Sequence, residues 1–203
     1  MTLLLATTNA DKLREIRAAL GRATITLMSL ADLPPAPAPE ETGETFAANA
    51  RLKALHYDRA SAQIAVGDQV LTAAEDSGLV VDALDGEPGV RSARFLRPDA
   101  SYPERFAEID RRLAAAPGSS RRARFVCAIA VARRGDVVFE TTGIVEGEIA
   151  SIPRGTQGFG YDPIFFYPPY GRTLAEVSDD AKRRAAHRGK AFAHLAEWLQ
   201  NRT

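Results

Sequence analysis

The run Gly158-Phe159-Gly160-Tyr161-Asp162-Pro163 holds residue types that suit ligand chemistry. Glycine has no Cβ, so backbone there can approach a ligand closely. Pro163 keeps Asp162 away from helical geometry. Phe159 and Tyr161 offer flat apolar faces of the kind that stack on a nucleobase. Further on, Lys182, His187 and Arg188 bring hydrogen-bond donors without a matching run of acids. Together they suit a flat, acceptor-rich ring. The same run also reads as a tight turn before a buried strand, Ile164-Phe165-Phe166.

A second group sits near the N-terminus. Thr7-Thr8-Asn9-Ala10-Asp11-Lys12 follows a short apolar run and opens a helix. Free backbone N–H groups and the helix dipole attract anions at such a place, and Lys12 adds a full positive charge. The turn lacks the glycines and the Gly-Lys-Ser/Thr ending of a P-loop. Its ordinary structural reading is an N-cap beside a solvated lysine. Two acidic clusters complete the set: Glu40-Glu41-Thr42-Gly43 after a proline-rich stretch, and Glu75-Asp76-Ser77-Gly78 after a strand. Carboxylate oxygens suit Mg²⁺, which takes one or two of them together with waters and phosphates. Asp-Ser-Gly also makes an ordinary turn.

The elements that must position these groups follow from periodicity. Leu3-Leu4-Leu5-Ala6 reads as a buried strand, and Leu13, Ile16 and Leu20 follow at helical spacing. Thr24 to Leu30 reads as a strand. Pro34 to Pro39 suits only an extended surface loop. Thr45 caps a helix with Phe46, Ala50, Ala54 and Tyr57 on one face. Val70 to Ala73 and Leu79 to Ala83 read as two strands on either side of a turn at Asp76-Ser77-Gly78. Phe106, Ile109 and Leu113 mark a helix over 102–115. Arg124 to Val131 is apolar on both faces, hence central, while Asp136 to Ile149 alternates, hence half exposed. A last helix covers 188–200, with Phe192, Leu195 and Leu199 inward. The pattern predicts an α/β fold with a mixed sheet and no linker dividing it.

Composition narrows the function classes. The chain has 203 residues, 45% hydrophobic and 26% charged, with 26 basic and 26 acidic residues. That balance gives no long-range field for nucleic acid or an anionic membrane. The one cysteine, Cys127, cannot form an intramolecular disulfide and lies in the apolar run Phe125 to Val131, so a core role is expected. No apolar run approaches membrane-span length and no signal-peptide pattern is present, so the expected location is cytoplasmic. The histidines lack metal-ligand spacing and there is no cysteine pair, which excludes the usual zinc patterns.

Taken in order, these motifs resemble the inosine/xanthosine triphosphate pyrophosphatase family, also called the Ham1 family. The resemblance rests on Ala6-Thr7-Thr8-Asn9 with Lys12, Glu41-Thr42-Gly43 with Thr45-Phe46 and Asn49-Ala50, and Asp76-Ser77-Gly78-Leu79. It continues through Pro88-Gly89-Val90 with Ser92-Ala93-Arg94, Arg124-Phe125-Val126, Gly158 to Pro163, and Lys182 with His187-Arg188. It implies one domain over residues 1–203: an elongated, two-lobed α/β protein with a long mixed sheet flanked by helices, an active cleft between the lobes, and a homodimer. It also implies Mg²⁺-dependent hydrolysis of ITP, dITP and XTP to the monophosphate and pyrophosphate. By position, Thr7, Thr8, Asn9, Ala10, Asp11 and Lys12 would hold phosphates. Glu41 and Asp76 would serve the metal, with Asp76 as proton acceptor. Ser77, Phe159, Gly160, Tyr161, Asp162, Lys182, His187 and Arg188 would contact substrate. The chain departs from the family's usual pattern at Thr8, Glu75, Ala48, Arg183 and Ala186. The competing readings are a Maf-like pyrophosphatase of modified pyrimidine nucleotides and a non-catalytic nucleotide-binding protein.

Overall fold

The computed structural model describes residues 1–20, 25–62, 70–115, 118 and 120–202; the side chains at 11, 15, 19 and 20 fall outside the described set. The first strand and helix appear where the apolar patterns put them: β1 (Thr2–Leu5) and α1 (Ala10–Leu20). There follow β2 (Thr26–Ser29), α2 (Phe46–Ser61), β3 (Val70–Val81), α3 (Tyr102–Ala114), β4 (Arg122–Arg133) and β5 (Asp136–Ile149). The chain closes with β6 (Phe165–Tyr167), β7 (Arg172–Thr173), α4 (Asp179–Ala185) and α5 (His187–Gln200). The expected strand over Thr24 to Leu30 shortens to Thr26–Ser29, with Thr24 outside the described residues, as is the side chain of Leu20. Residues 34–39 form no regular element and are almost all exposed, as six residues with four prolines require.

Among the described residues the strands form one seven-stranded mixed sheet in the order β2-β1-β3-β4-β5-β6-β7. β1 runs parallel to both β2 and β3, and Leu5 pairs with Ala73. β6 is antiparallel to β5 and to β7. β4 and β5 are joined by a tight turn at Arg134-Gly135, both at positive φ. The α/β class with a mixed sheet is therefore as the sequence patterns predict.

The chain divides into two compact units. The first comprises Met1–Asp76, Cys127–Gly143 and Arg188–Thr203, the second Ser77–Val126 and Ile144–His187. Side-chain alternation gives the first unit two cores. Leu3, Leu5, Leu71, Ala73, Cys127, Ile129 and Val131 pack with Ile16 of α1 and with Phe192, Leu195 and Leu199 of α5. Their neighbours in sequence, Leu4, Val70, Ala74, Ala128 and Ala130, point the other way and pack with Ala50, Ala54 and Tyr57 of α2. The second unit has its own core, in which Leu79, Val81, Phe125, Val145 and Phe165 meet Ile109 and Leu113 of α3.

One expectation is corrected with a consequence for function. The turn at Asp76-Ser77-Gly78 does not exist: β3 runs unbroken through it. Gly78 is there for close approach rather than for a bend. A Cβ at this position would lie 2.3 Å from Ser92 Oγ and 2.6 Å from the Gly89 carbonyl oxygen. The segment Gly89–Arg94 thus presses against the strand, and Ser92 Oγ accepts the Leu79 N–H at 2.9 Å. Glu75 and Asp76 consequently lie on a strand, and successive strand residues face opposite sides.

Candidate functional site

The β1–α1 turn is built by its polar residues. Ala6 N–H donates to the Ala73 carbonyl at 2.8 Å, extending the β1–β3 pairing by one step. The Asn9 N–H donates to Thr7 Oγ1 at 3.2 Å, and Asn9 Oδ1 accepts the Lys12 N–H at 3.1 Å. Asn9 is therefore the N-cap of α1, a cap–N3 bond of the usual kind. Thr8, Asn9 and Ala10 are exposed; the side chain of Asp11 lies outside the described residues. β1 ends here while β3 continues, so Glu75 and Asp76 stand past the carboxyl end of a parallel strand. Open α/β sheets place ligands at such ends.

Glu75 faces the side of the sheet occupied by α1 and α5. Its side chain is only 2% exposed, and Lys12 Nζ forms an ion pair with its Oε1. Arg188 Nε lies 3.7 Å from Oε2, and Cys127 Sγ donates to the same oxygen at 3.4 Å. Burial works to raise this carboxyl's pKa, but Lys12, Arg188 and Lys53 together hold it well below the usual carboxylate range. The Cys127 thiol is pushed up by burial and by Glu75, so it stays protonated, a core residue as its apolar surroundings predict. Two cations thus share one buried carboxylate on this face.

Asp76 faces the opposite side, towards α2, and its environment has the opposite balance. Lys53 Nζ donates at 3.0 Å to Asp76 Oδ1 and at 3.0 Å to Glu41 Oε1. Asn49 Nδ2 donates at 3.2 Å to Asp76 Oδ2, while Asn49 Oδ1 accepts the Gly43 N–H at 2.8 Å. That second bond fixes which end of the amide faces Asp76. Thr45 Oγ1 caps α2 by accepting the Ala48 N–H, and the helix then carries Asn49 and Lys53 one turn apart on one face. Two carboxylates share one ammonium here. Burial raises the Asp76 pKa, Lys53 offsets part of that, and Glu41 and Glu75 add to the rise. Burial works to lower the Lys53 pKa, and Asp76, Glu75 and Glu41 outweigh it.

This donor set fits a divalent cation of the Mg²⁺ type. The described residues hold no cluster of three or more His, Cys, Asp or Glu able to act as a closed metal cage. Mg²⁺ rarely uses such a cage and keeps several waters beside one or two carboxylates. Glu41 and Asp76 both reach the same Lys53 ammonium, a positive charge held between them. A divalent ion there would hold Asp76 ionised despite its burial.

The second unit carries the third group. Asp162 Oδ2 accepts the Phe159 N–H at 2.8 Å and the Lys182 ammonium at 2.8 Å. Both Asp162 and Lys182 are buried. Lys182 Nζ also stands 4.7 Å from the centre of the Phe159 ring, a cation–π contact. Gly158 has φ +71°, and a Cβ on it would lie 2.2 Å from Asp162 Oδ2, so only glycine fits. The tight-turn and ligand readings of this run therefore share one construction.

The two aromatics differ. Phe159 is half-buried, whereas Tyr161 is 4% exposed. Its ring meets Tyr102 edge-on at 5.4 Å, and its hydroxyl donates to the Ser92 carbonyl at 2.8 Å. The expectation that the Tyr161 ring offers an open stacking face is corrected: that ring belongs to the core, because its hydroxyl finds a buried acceptor. His187 is buried and stacks on Phe125 with ring centres 4.8 Å apart. Ser77 is half-buried on β3.

Three groups thus emerge from the residues picked out by sequence. Glu41 and Asp76 meet around Lys53. Lys12 and Arg188 meet on Glu75. Phe159, Asp162 and Lys182 form one contact set. Arg188 stands with Glu75. Sequence reasoning assigned no role to Lys53, to the Asn49 amide or to Glu75. The four-residue spacing of Asn49 and Lys53, beside the inward Ala50 and Ala54, was the available signal.

The chain is similar to known proteins over nearly its whole length. The model of the Ham1 family matches residues 3–198. A dITP/XTP pyrophosphatase of Geobacillus kaustophilus (strain HTA426) is 43% identical over 195 residues, covering 96% of this chain and 92% of that protein. One from Acidobacterium capsulatum is 46% identical over 202 residues, covering 96% of each. Among solved structures, a HAM1 protein from Coxiella burnetii superposes with a TM-score of 0.87 at 37% identity, covering 99% of both chains. The Staphylococcus aureus Ham1 protein gives 0.86 at 32% identity, covering 100% of both. With a family model spanning nearly its whole length and relatives this close, the chain belongs to the Ham1 family.

Proposed function

We propose that residues 1–203 act as a single nucleoside-triphosphate pyrophosphatase domain. It hydrolyses non-standard purine nucleotides, ITP, dITP and XTP, to the monophosphate and pyrophosphate. The observation that carries this reading is Asp76: a buried carboxylate whose two oxygens are fixed by Lys53 and Asn49, beside Glu41. The names of the relatives support the substrate class.

In the proposed reaction a water attacks the α-phosphorus. Its oxygen forms the new P–O bond, the bond to the β-phosphate oxygen breaks, and pyrophosphate leaves. Asp76 accepts the proton lost by the water, and burial raises its pKa. Asn49 and Lys53 hold the carboxylate in place. Lys12, with the α1 N-terminus and Thr7 to Ala10, neutralises charge on the outgoing phosphates. Glu41 and Asp76 would hold Mg²⁺, which would supply further neutralisation of charge on the phosphate oxygens.

Base choice rests on the six-position of the purine. Hypoxanthine and xanthine present an oxygen acceptor there, and adenine an amino donor. Donors drawn from Lys182, His187 and Arg188, with Phe159 as the stacking face, match the first. An adenine would leave a buried donor unpaired, at a cost of about 1–3 kcal/mol. The backbone at Gly160 to Asp162 and the Ser77 hydroxyl complete the proposed contacts. A homodimer and a cytoplasmic location accompany the reading; no helix among the described residues is long and apolar enough to cross a membrane.

The test is pyrophosphate release from ITP, XTP, dITP, GTP, ATP and UTP, with and without Mg²⁺. ITP, XTP and dITP should react fastest, GTP, which shares the six-oxygen, should be excluded at its 2-amino group, and turnover should fall away without the metal. Preference for UTP, or binding without turnover, would replace this reading.

A further inference from the structure

We propose that Glu75 is a positioning residue for the phosphate-binding lysine, acting through Lys12 rather than on substrate. The inference rests on the phosphate role given to Lys12 above. Lysine has four rotatable bonds, and fixing such a chain when a ligand arrives costs affinity. Here the cost is met before binding. The Lys12 ammonium is already held by Glu75, whose carboxylate is fixed from other directions by Arg188 and by the Cys127 thiol.

The charge balance fits this role. In the described contacts two cations, Lys12 and Arg188, face the one carboxylate of Glu75, an arrangement that favours an incoming anion. The side chains differ in access: Lys12 is 20% exposed, while Arg188 is 6% and Glu75 is 2%. Lys12 is thus the most accessible of the three to a phosphate. The Asp76 side of the strand carries the opposite excess, two carboxylates against Lys53. Adjacent residues of one strand thereby separate an anion-favouring face from a cation-favouring face.

The competing role for Glu75 is purely structural, tying α1 and α5 to the sheet. A double-mutant cycle separates the two. kcat and KM for ITP are measured for wild type, Lys12→Ala, Glu75→Gln and the double variant. Glu75→Gln should raise KM roughly tenfold in the wild-type background and change it little once Lys12 is gone. An equal loss in both backgrounds overturns the proposal, because Glu75 would then act independently of Lys12. If Glu75→Gln does not fold, Glu75→Asp is read in the same cycle: it keeps the charge, and its shorter reach should likewise raise KM only when Lys12 is present. Should Lys12→Ala alone leave kcat/KM unchanged, the phosphate role of Lys12 fails, an outcome distinct from an additive cycle.

Discussion

Asp76→Asn is expected to lose turnover by about two to four orders of magnitude while the protein remains folded. The substitution keeps the shape and removes the function, since an amide accepts no proton from water and is a poor Mg²⁺ ligand. The fold should bear the change at a modest cost. Lys53 can still donate to an amide oxygen, but the Asn49 amide would then face an NH₂ group, which costs roughly 1–3 kcal/mol. Steady-state turnover of ITP and a urea unfolding curve of the same sample check both halves. Activity within a few-fold of wild type would reduce Asp76 to a strand residue with two hydrogen bonds.

Lys182→Met should destabilise the protein strongly, by about 3–5 kcal/mol. Its ammonium is the ionic partner of Asp162, and both are almost wholly buried. Removing it takes the ammonium away from a buried carboxylate beneath the Gly158-Phe159 turn, which that carboxylate also holds through the Phe159 N–H. The same physics predicts rescue. Lys182→Met combined with Asp162→Asn removes both charges and should be more stable than Lys182→Met alone, since neutralising a whole buried pair costs less than breaking it. Urea midpoints of the two variants decide this. A loss below about 1 kcal/mol, the range of an exposed pair, would mean that the pair is not shielded from water in solution.

How far the sequence could be read depends on which interaction shapes each segment. β4 and β5 were legible because an apolar run and an alternation are what two-faced and one-faced burial require. α2 and α3 were legible from their caps and inward residues. β3 was misread at Asp76-Ser77-Gly78 because turn propensity is local. The reason for Gly78 is a contact with Ser92, which is distant in sequence. α4 escaped notice because Asp179–Ala185 is mostly charged and shows no apolar period. The site showed the same division. Asp76, Glu41, Lys12 and the Gly158 to Asp162 run were visible through residue type and order. Lys53 and Glu75 were not assigned roles, because a lysine on a helix and an acid before an aspartate look ordinary until burial shows that each must have partners.

The central claim is a single hydrolytic event at the α-phosphorus, and product identification during the first turnovers of ITP with Mg²⁺ tests it most directly. IMP and pyrophosphate should appear together, in equal amounts and without delay, and no IDP should accumulate at any time. IDP and orthophosphate appearing first, with IMP following, would place the attack at the γ-phosphorus and contradict the account.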